Sequence, residues 1–159
     1  MLLHPSGLTS RIKSIMTFDG EIEQAFPPMS VTLLLEDDLD CSRGDMIVRE
    51  NNQADVSQDL DLMICWFNQK PLQPRGKYTI MHTTQEARCV VKEVAYKLDV
   101  NTLHRNLDDL QIGMNDIARI KIRSTKPLFT DPYSRNRITG SVILIDEGTN
   151  ETVGAGMVI

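Results

Sequence analysis

Between Ile117 and Arg123 the chain alternates without a break. Ala118, Ile120 and Ile122 fall on one side of an extended backbone, and Arg119, Lys121 and Arg123 on the other. A period of two cannot make a helical face, where neighbours recur every three or four residues, so this stretch must be a strand with one buried side. The same period returns in Leu60, Leu62, Ile64 and Trp66, set against Asp61, Met63, Cys65 and Phe67. It returns again in the run 78–83, which follows Pro74 and Gly76, and from Ala87 to Leu98, where Val90, Val94, Tyr96 and Leu98 are in phase and Lys92 is out of character. The runs 141–146 and 151–159 flank Gly148-Thr149-Asn150, which predicts a hairpin. Many short strands spaced by turn residues predict an all-β fold, an antiparallel barrel or sandwich. One segment, Asn101 to Leu110, puts Leu103, Leu107 and Leu110 on a single helical face and reads as a short helix or an ordered loop.

The acid distribution divides the chain. From Glu36 to Asp61 there are nine acidic residues against only Arg43 and Arg49, and Glu50-Asn51-Asn52-Gln53-Ala54-Asp55 within it reads as a linker. We place a junction near 50–58, giving units 1–52 and 53–159. The second is long enough for a complete small barrel. The first offers only 10–18, 29–35 and 46–48 as strands, and three short strands rarely stand alone, so it reads as a truncated domain.

The 159 residues, 41% hydrophobic and 25% charged, describe a chain with a real core. No run approaches the roughly 18 apolar residues of a membrane span. Pro5 interrupts the start before a signal-peptide core forms, and a cytoplasmic location is expected. A net charge of −5 argues against a general binder of nucleic acid, whose affinity rests on phosphate contacts. Cys41, Cys65 and Cys89 form no C-x-x-C and no zinc-type spacing, so free thiols are expected.

Catalytic motifs fail one by one. Gly76-Lys77 is the only Gly-Lys pair, but a phosphate-binding loop needs glycine where Pro71 stands and serine or threonine where Tyr78 stands. Gly154-Ala155-Gly156 has Ile159 at the third glycine position of a dinucleotide fingerprint and reads as a small-residue strand. His4, His82 and His104 belong to no nucleophile motif, and His82 reads as a satisfied barrel residue. An EF-hand counted from Asp38 would put Arg43 and Arg49 at the glycine and glutamate positions, so the acidic run 36–40 reads as a solvated turn. Arg43-Gly44-Asp45 reads as a tight turn entering a strand. No catalytic, cofactor-binding or metal-ligating residue is expected. What remains is positive: Arg119, Lys121, Arg123, Lys126, Arg135 and Arg137 against the single acid Asp131. This strip is either an ordinary solvent face or a docking surface for an acidic partner, with Arg119, Lys121, Arg123, Arg135 and Arg137 as its candidate residues. RNA backbone is a weaker fit, because aromatics are 5% of the chain and none interleaves with the row.

Taken in order, several stretches resemble a known family. They are Leu3-His4-Pro5-Ser6-Gly7, Thr17-Phe18-Asp19-Gly20, Asp40-Cys41-Ser42-Arg43-Gly44-Asp45, Val100-Asn101-Thr102-Leu103, Asp131-Pro132-Tyr133, and Thr149 through Met157. The chain resembles the GTP-binding large subunit of bacterial ATP sulfurylase, a relative of elongation factor Tu. That resemblance implies a barrel like domain 3 of elongation factor Tu, preceded by the later part of a domain 2 barrel. It implies a fragment without its own catalytic residues, from a machine in which GTP hydrolysis drives the synthesis of adenosine 5′-phosphosulfate. GTP and magnesium would be held in an upstream GTPase domain. The implied partners are that GTPase domain and the small catalytic ATP sulfurylase subunit, with no membrane. An RNA-binding barrel pair of translation-factor type is the alternative.

Overall fold

The computed structural model describes residues 1–159 and divides them into two units, Met1–Gln53 and Ala54–Ile159. In the first, β1 (Leu2–His4) lies between β2 (Leu8–Thr9) and β6 (Met46–Val48). A second three-stranded antiparallel sheet places β3 (Ile12–Thr17) between β4 (Gly20–Ile22) and β5 (Thr32–Leu35). The sequence predicted three strands here and the fold has six, because β1, β2 and β4 are two or three residues long and too short to show a period. Leu3 is this unit's only fully buried hydrophobic side chain, while Phe18 and Phe26 stand exposed. The acidic run 36–40 is an exposed bend anchored by Ser10, whose Oγ donates to Asp37 Oδ2 at 2.8 Å. Arg43-Gly44-Asp45 is a tight turn into β6: Asp45 N donates to Ser42 O and Ser42 N to the Asp45 carboxylate.

The second unit is a closed barrel. Its strands are β7 (Asp55–Trp66), β8 (Lys77–His82), β9 (Gln85–Leu98), β11 (Ile117–Thr130), β12 (Ser141–Asp146) and β13 (Thr152–Val158), with a short β10 (Arg105–Asn106) added to the edge of β9. Neighbours run β9-β11-β7-β13-β12-β8, and β8 pairs back to β9, so no edge is left within the ring. The expected inward row is the core: Leu62, Ile64 and Trp66 from β7 meet Ala118, Ile120 and Ile122 from β11, all at 1% exposure or less. Trp66 meets Tyr78 edge to face at 5.6 Å, and its indole N–H donates to Lys70 O at 2.8 Å, so the largest core side chain leaves no buried donor unpaired. Gly154 and Gly156 are strand residues, as expected. A Cβ on Gly154 would come within 3.1 Å of Cys65 O, because β13 packs backbone to backbone against β7.

One expectation is corrected and one open reading is decided. In β9 Ala87, Cys89 and Val91 are buried and Val94, paired with the inward Ile120, is partly buried against the core, whereas Val90 and Tyr96 pair with the outward Arg123 and Arg119, so Val94 shares a face with neither. Two register shifts against β11 flank Glu93 and Val94, and each extra residue reverses the alternation. Of the two readings of Asn101–Leu110, the ordered loop is the one found, carrying the two-residue β10. Asp99 Oδ1 accepts from the N–H groups of Asn101 and Thr102, and Asn106 Oδ1 from those of Asp108 and Asp109. The Asp99 bonds would suit a helix start, but Leu103 has a left-handed φ of 59° and Asn106 takes two backbone donors that a continuing helix would need, so Leu103 and Leu107 are left exposed.

Candidate partner-docking surface

Strand β11 sits between β7 and β9, both of which carry acids on their outward faces. Arg119 grips Asp61 with two bonds, Nε to Oδ1 at 2.8 Å and Nη2 to Oδ2 at 2.6 Å. Lys121 Nζ lies 3.0 Å from Glu93 Oε2, and Arg123 Nη1 lies 2.7 Å from Asp59 Oδ2. The bidentate hydrogen bonding from Arg119 holds the Asp61 carboxyl below the usual carboxylate range. The row is therefore a ladder of alternating sign, three cations against three acids, in place of the unopposed positive strip read from β11 alone. Asp59 and Asp61 belong to the acid-rich stretch visible in the sequence and Glu93 does not, and pairing all three needed the register of strands whose partners lie 28 to 64 positions apart.

Arg135 and Arg137 stand elsewhere, on the loop 131–140. Arg135 Nη1 is 3.7 Å from Asp131, whose other oxygen accepts from Thr139 Oγ1 at 2.7 Å. The Arg137 guanidinium lies 6.0 Å from the centre of the Tyr133 ring and has no acid within ion-pair distance. The loop is pinned to the barrel by Tyr133 N donating to Val158 O and Val158 N to Gly140 O. A cleft of about 630 Å³, which sequence reading missed, is lined by Lys77, Arg88, Arg123, Ser124, Thr125 and Glu147. Lys77, Val90 and Arg123 lie in one cross-strand row there, and Arg88 pairs with Glu147 at 3.3 Å. Only pairing across three strands brings these cations together.

His82 and Cys89 are enclosed in the barrel. His82 is 1% exposed, its Nε2 lies 2.8 Å from Thr139 O, and burial pushes its pKa below the ordinary value. A neutral, enclosed imidazole joining β8 to the loop 131–140 is a packing residue, as expected. Cys41, Cys65 and Cys89 are free, and burial pushes the Cys89 thiol up to about 12, which removes its nucleophilic form. The Gly76-Lys77 turn wraps an aromatic ring: a Cβ on Gly76 would sit 2.7 Å from the Tyr78 ring, and Tyr78 Oη accepts from Gln73 N. Phosphate has no place in a turn filled from within, so these residues do not fit GTP. No three His, Cys, Asp or Glu side chains converge as a metal site, and no helix is long and apolar enough to cross a membrane.

Comparison with known proteins agrees with this architecture. A solved structure of Sup35 with GDP superposes over 99% of this chain and 39% of its own, at a TM-score of 0.86 and 18% identity. The elongation factor SelB of Methanococcus maripaludis superposes over 99% of this chain and 35% of its own, at 0.76 and 14% identity. These likenesses establish the fold. In sequence, the chain is 43% identical to sulfate adenylyltransferase subunit 1 of Bacteroides thetaiotaomicron over 98% of its length and 34% of that protein's. It is 45% identical to the bifunctional enzyme CysN/CysC of Mycobacterium tuberculosis over 98% of its length and 25% of that protein's. The chain thus spans between a quarter and a third of these relatives. Residues 59–159 match the family described as GTP-eEF1A C-terminal domain-like. The chain belongs to that family, and it is homologous to the C-terminal barrel region of sulfate adenylyltransferase subunit 1.

Proposed function

We propose that this chain is the non-catalytic barrel region of the GTP-hydrolysing subunit of a sulfate adenylyltransferase, acting in the cytoplasm. In this reading it transmits the nucleotide state of a GTPase domain to a separate catalytic subunit that makes adenosine 5′-phosphosulfate. Residues 1–52 are the later part of a domain 2 barrel and 53–159 the domain 3 barrel. The supporting observation is identity of 40–45% over 98% of the chain with proteins bearing that subunit's name or the CysN/CysC name. A closed barrel that encloses His82 and Cys89 and keeps charged groups at its surface suits docking. Coupling requires only that its contacts differ between two states of the assembly. Arg119, Lys121, Arg123, Arg135 and Arg137 are the proposed steering charges, Arg135 and Arg137 carrying more of the field because the first three are compensated by acids.

The test is titration of the chain against its cognate catalytic subunit, followed by sedimentation, with calorimetry against GTP and ATP alongside. One-to-one association and no nucleotide binding are expected. No association, or saturable nucleotide binding at micromolar affinity, refutes the reading. The RNA-binding alternative loses support from the ladder, since three of its cations already face carboxylates.

A further inference from the structure

Three neighbouring strands of the barrel are apolar on both faces. The runs Leu62-Met63-Ile64-Cys65-Trp66 in β7, Val142-Ile143-Leu144-Ile145 in β12 and Val153 through Val158 in β13 contain no charged residue. An antiparallel strand with one wet face alternates, whereas a continuous apolar run belongs to a strand covered on both sides. Here the inner face is covered by the core, with Ile64, Val142 and Leu144 buried. The outer face is not. Cross-strand pairing aligns Ile117, Cys65, Ala155, Ile143 and Met81 as one outward row across β11, β7, β13, β12 and β8. The next row holds Met63 and Met157, with Arg119 at one end and Ser141 at the other. None of these side chains is fully buried, and all but Arg119, together with Tyr133 and Ile138, line a groove of about 470 Å³.

A belt five strands wide, set with flexible methionines, has the composition of an interface centre. Its rim indicates what covers it. On the loop beside it Ile138 is 75% exposed, and Arg137, without an acid partner, lies against the groove residue Tyr133. The Arg135 side chain is 64% exposed and only loosely paired. At the opposite edge Arg119 is already committed to Asp61. The free positive charge therefore lies on the loop side, and an occupant whose apolar patch is flanked there by carboxylates would be complementary in both respects.

We propose that this outward belt, centred on Cys65, Ile143 and Met157 and rimmed by Arg135 and Arg137, is the seat of the catalytic partner subunit, which covers it with an apolar surface flanked by acids. The inference rests on the partnership proposed above and assigns the holding of the partner to the belt, leaving the ladder on β11 at most a share in steering its approach.

The experiment measures affinity for the purified cognate catalytic subunit by sedimentation velocity. It compares the unaltered chain with Met157→Glu, Ile143→Glu, Arg137→Glu and the triple reversal of Arg119, Lys121 and Arg123. Met157→Glu and Ile143→Glu are expected to weaken binding at least about tenfold, as at an interface hot spot. Arg137→Glu should weaken it less, and more at low salt. Met157→Leu should bind as the unaltered chain does, and Trp66 fluorescence verifies the fold of each variant. A second readout needs no substitution: saturating partner should slow alkylation of Cys65 at least about fivefold on the same grounds, while the exposed Cys41 keeps its rate. If the unaltered chain binds but Met157→Glu and Ile143→Glu bind within twofold of it and Cys65 stays reactive, the belt is overturned and the partnership stands. If the unaltered chain does not bind, both fall. If Cys65 is protected without partner, in step with a concentration-dependent rise in mass, a second copy covers the belt and the proposed occupant is wrong.

Discussion

Gly140 offers a sharp test of how the loop carrying Arg135 and Arg137 is held. A Cβ there would sit 2.4 Å from Tyr133 Cα, 2.7 Å from Tyr133 N and 2.7 Å from Asn136 O. All three are backbone atoms, so no side chain can rotate away, and ordinary contact requires a displacement of about 1 Å. Gly140→Ala must open the loop where three backbone bonds converge: Gly140 N to Asn136 O at 2.8 Å, Tyr133 N to Val158 O at 2.9 Å, and Val158 N to Gly140 O at 2.8 Å. At about 1 kcal/mol for the loss of one of these bonds, plus about 1–3 kcal/mol for overpacking, the expected loss is about 2–4 kcal/mol. Urea unfolding followed by Trp66 fluorescence is the assay, since the single tryptophan is buried in this barrel and reports on it alone. The midpoint should fall with the slope unchanged. Gly148→Ala is the control, because its nearest neighbour is the movable Asp146 carboxylate at 3.2 Å, and it should cost less than about 0.5 kcal/mol. A Gly140→Ala chain within 0.5 kcal/mol of the unaltered one, or a Gly148→Ala chain equally damaged, refutes the reasoning.

Other expectations follow from the buried and paired groups. Burial depresses the folded-state pKa of His82, so the unfolded chain takes up a proton that the folded chain refuses. Stability should hold above about pH 6.5 and decline as pH falls below it, and His82→Gln should flatten that part of the urea-midpoint profile. Asp61 is depressed as a carboxylate, so its contribution is present above about pH 3.9 and lost as pH drops through its folded value. Asp61→Asn should lower the midpoint at pH 7, with the deficit closing in acid; a deficit independent of pH would contradict the ladder. With its pKa pushed up to about 12, Cys89 should resist a thiol reagent at pH 8 until the barrel unfolds, while Cys41 and Cys65 react in the native chain. Three equally fast thiols would contradict this.

The barrel was legible because most of its strands separate two environments, and Leu60 through Trp66 and Ala118 through Ile122 write that separation in period two. Strand β9 was misread where its partner is irregular: the shifts around Glu93 and Val94 are properties of a pair of strands, and neither sequence announces them. The three leucines of the 101–110 segment left a helix and a loop both open, and Leu103's left-handed backbone and the bonds to Asn106 decided for the loop. Leucine spacing reports what a helix would bury only if a helix forms. The basic row was seen correctly as a row and incompletely as a charge, because Asp59, Asp61 and Glu93 reach it only through the fold.

The same reasoning separates the two outward surfaces of the barrel. Where β11 faces solvent, every cation on the row has a carboxylate at hydrogen-bonding distance, so bringing an acidic partner there means exchanging one carboxylate for another, with little net gain. Where β7, β13 and β12 face outward, water meets methionine, isoleucine and alanine, and covering them releases that water without breaking any polar contact within the barrel. Charge near such a surface, as on Arg137, sets the approach and register of a partner, while the apolar belt determines how long it stays. Reversing the ladder should therefore alter association rate and salt dependence, and reversing the belt should alter dissociation. Measuring both rates for the two sets of variants separates steering from holding, and equal effects on dissociation from ladder and belt would refute the division.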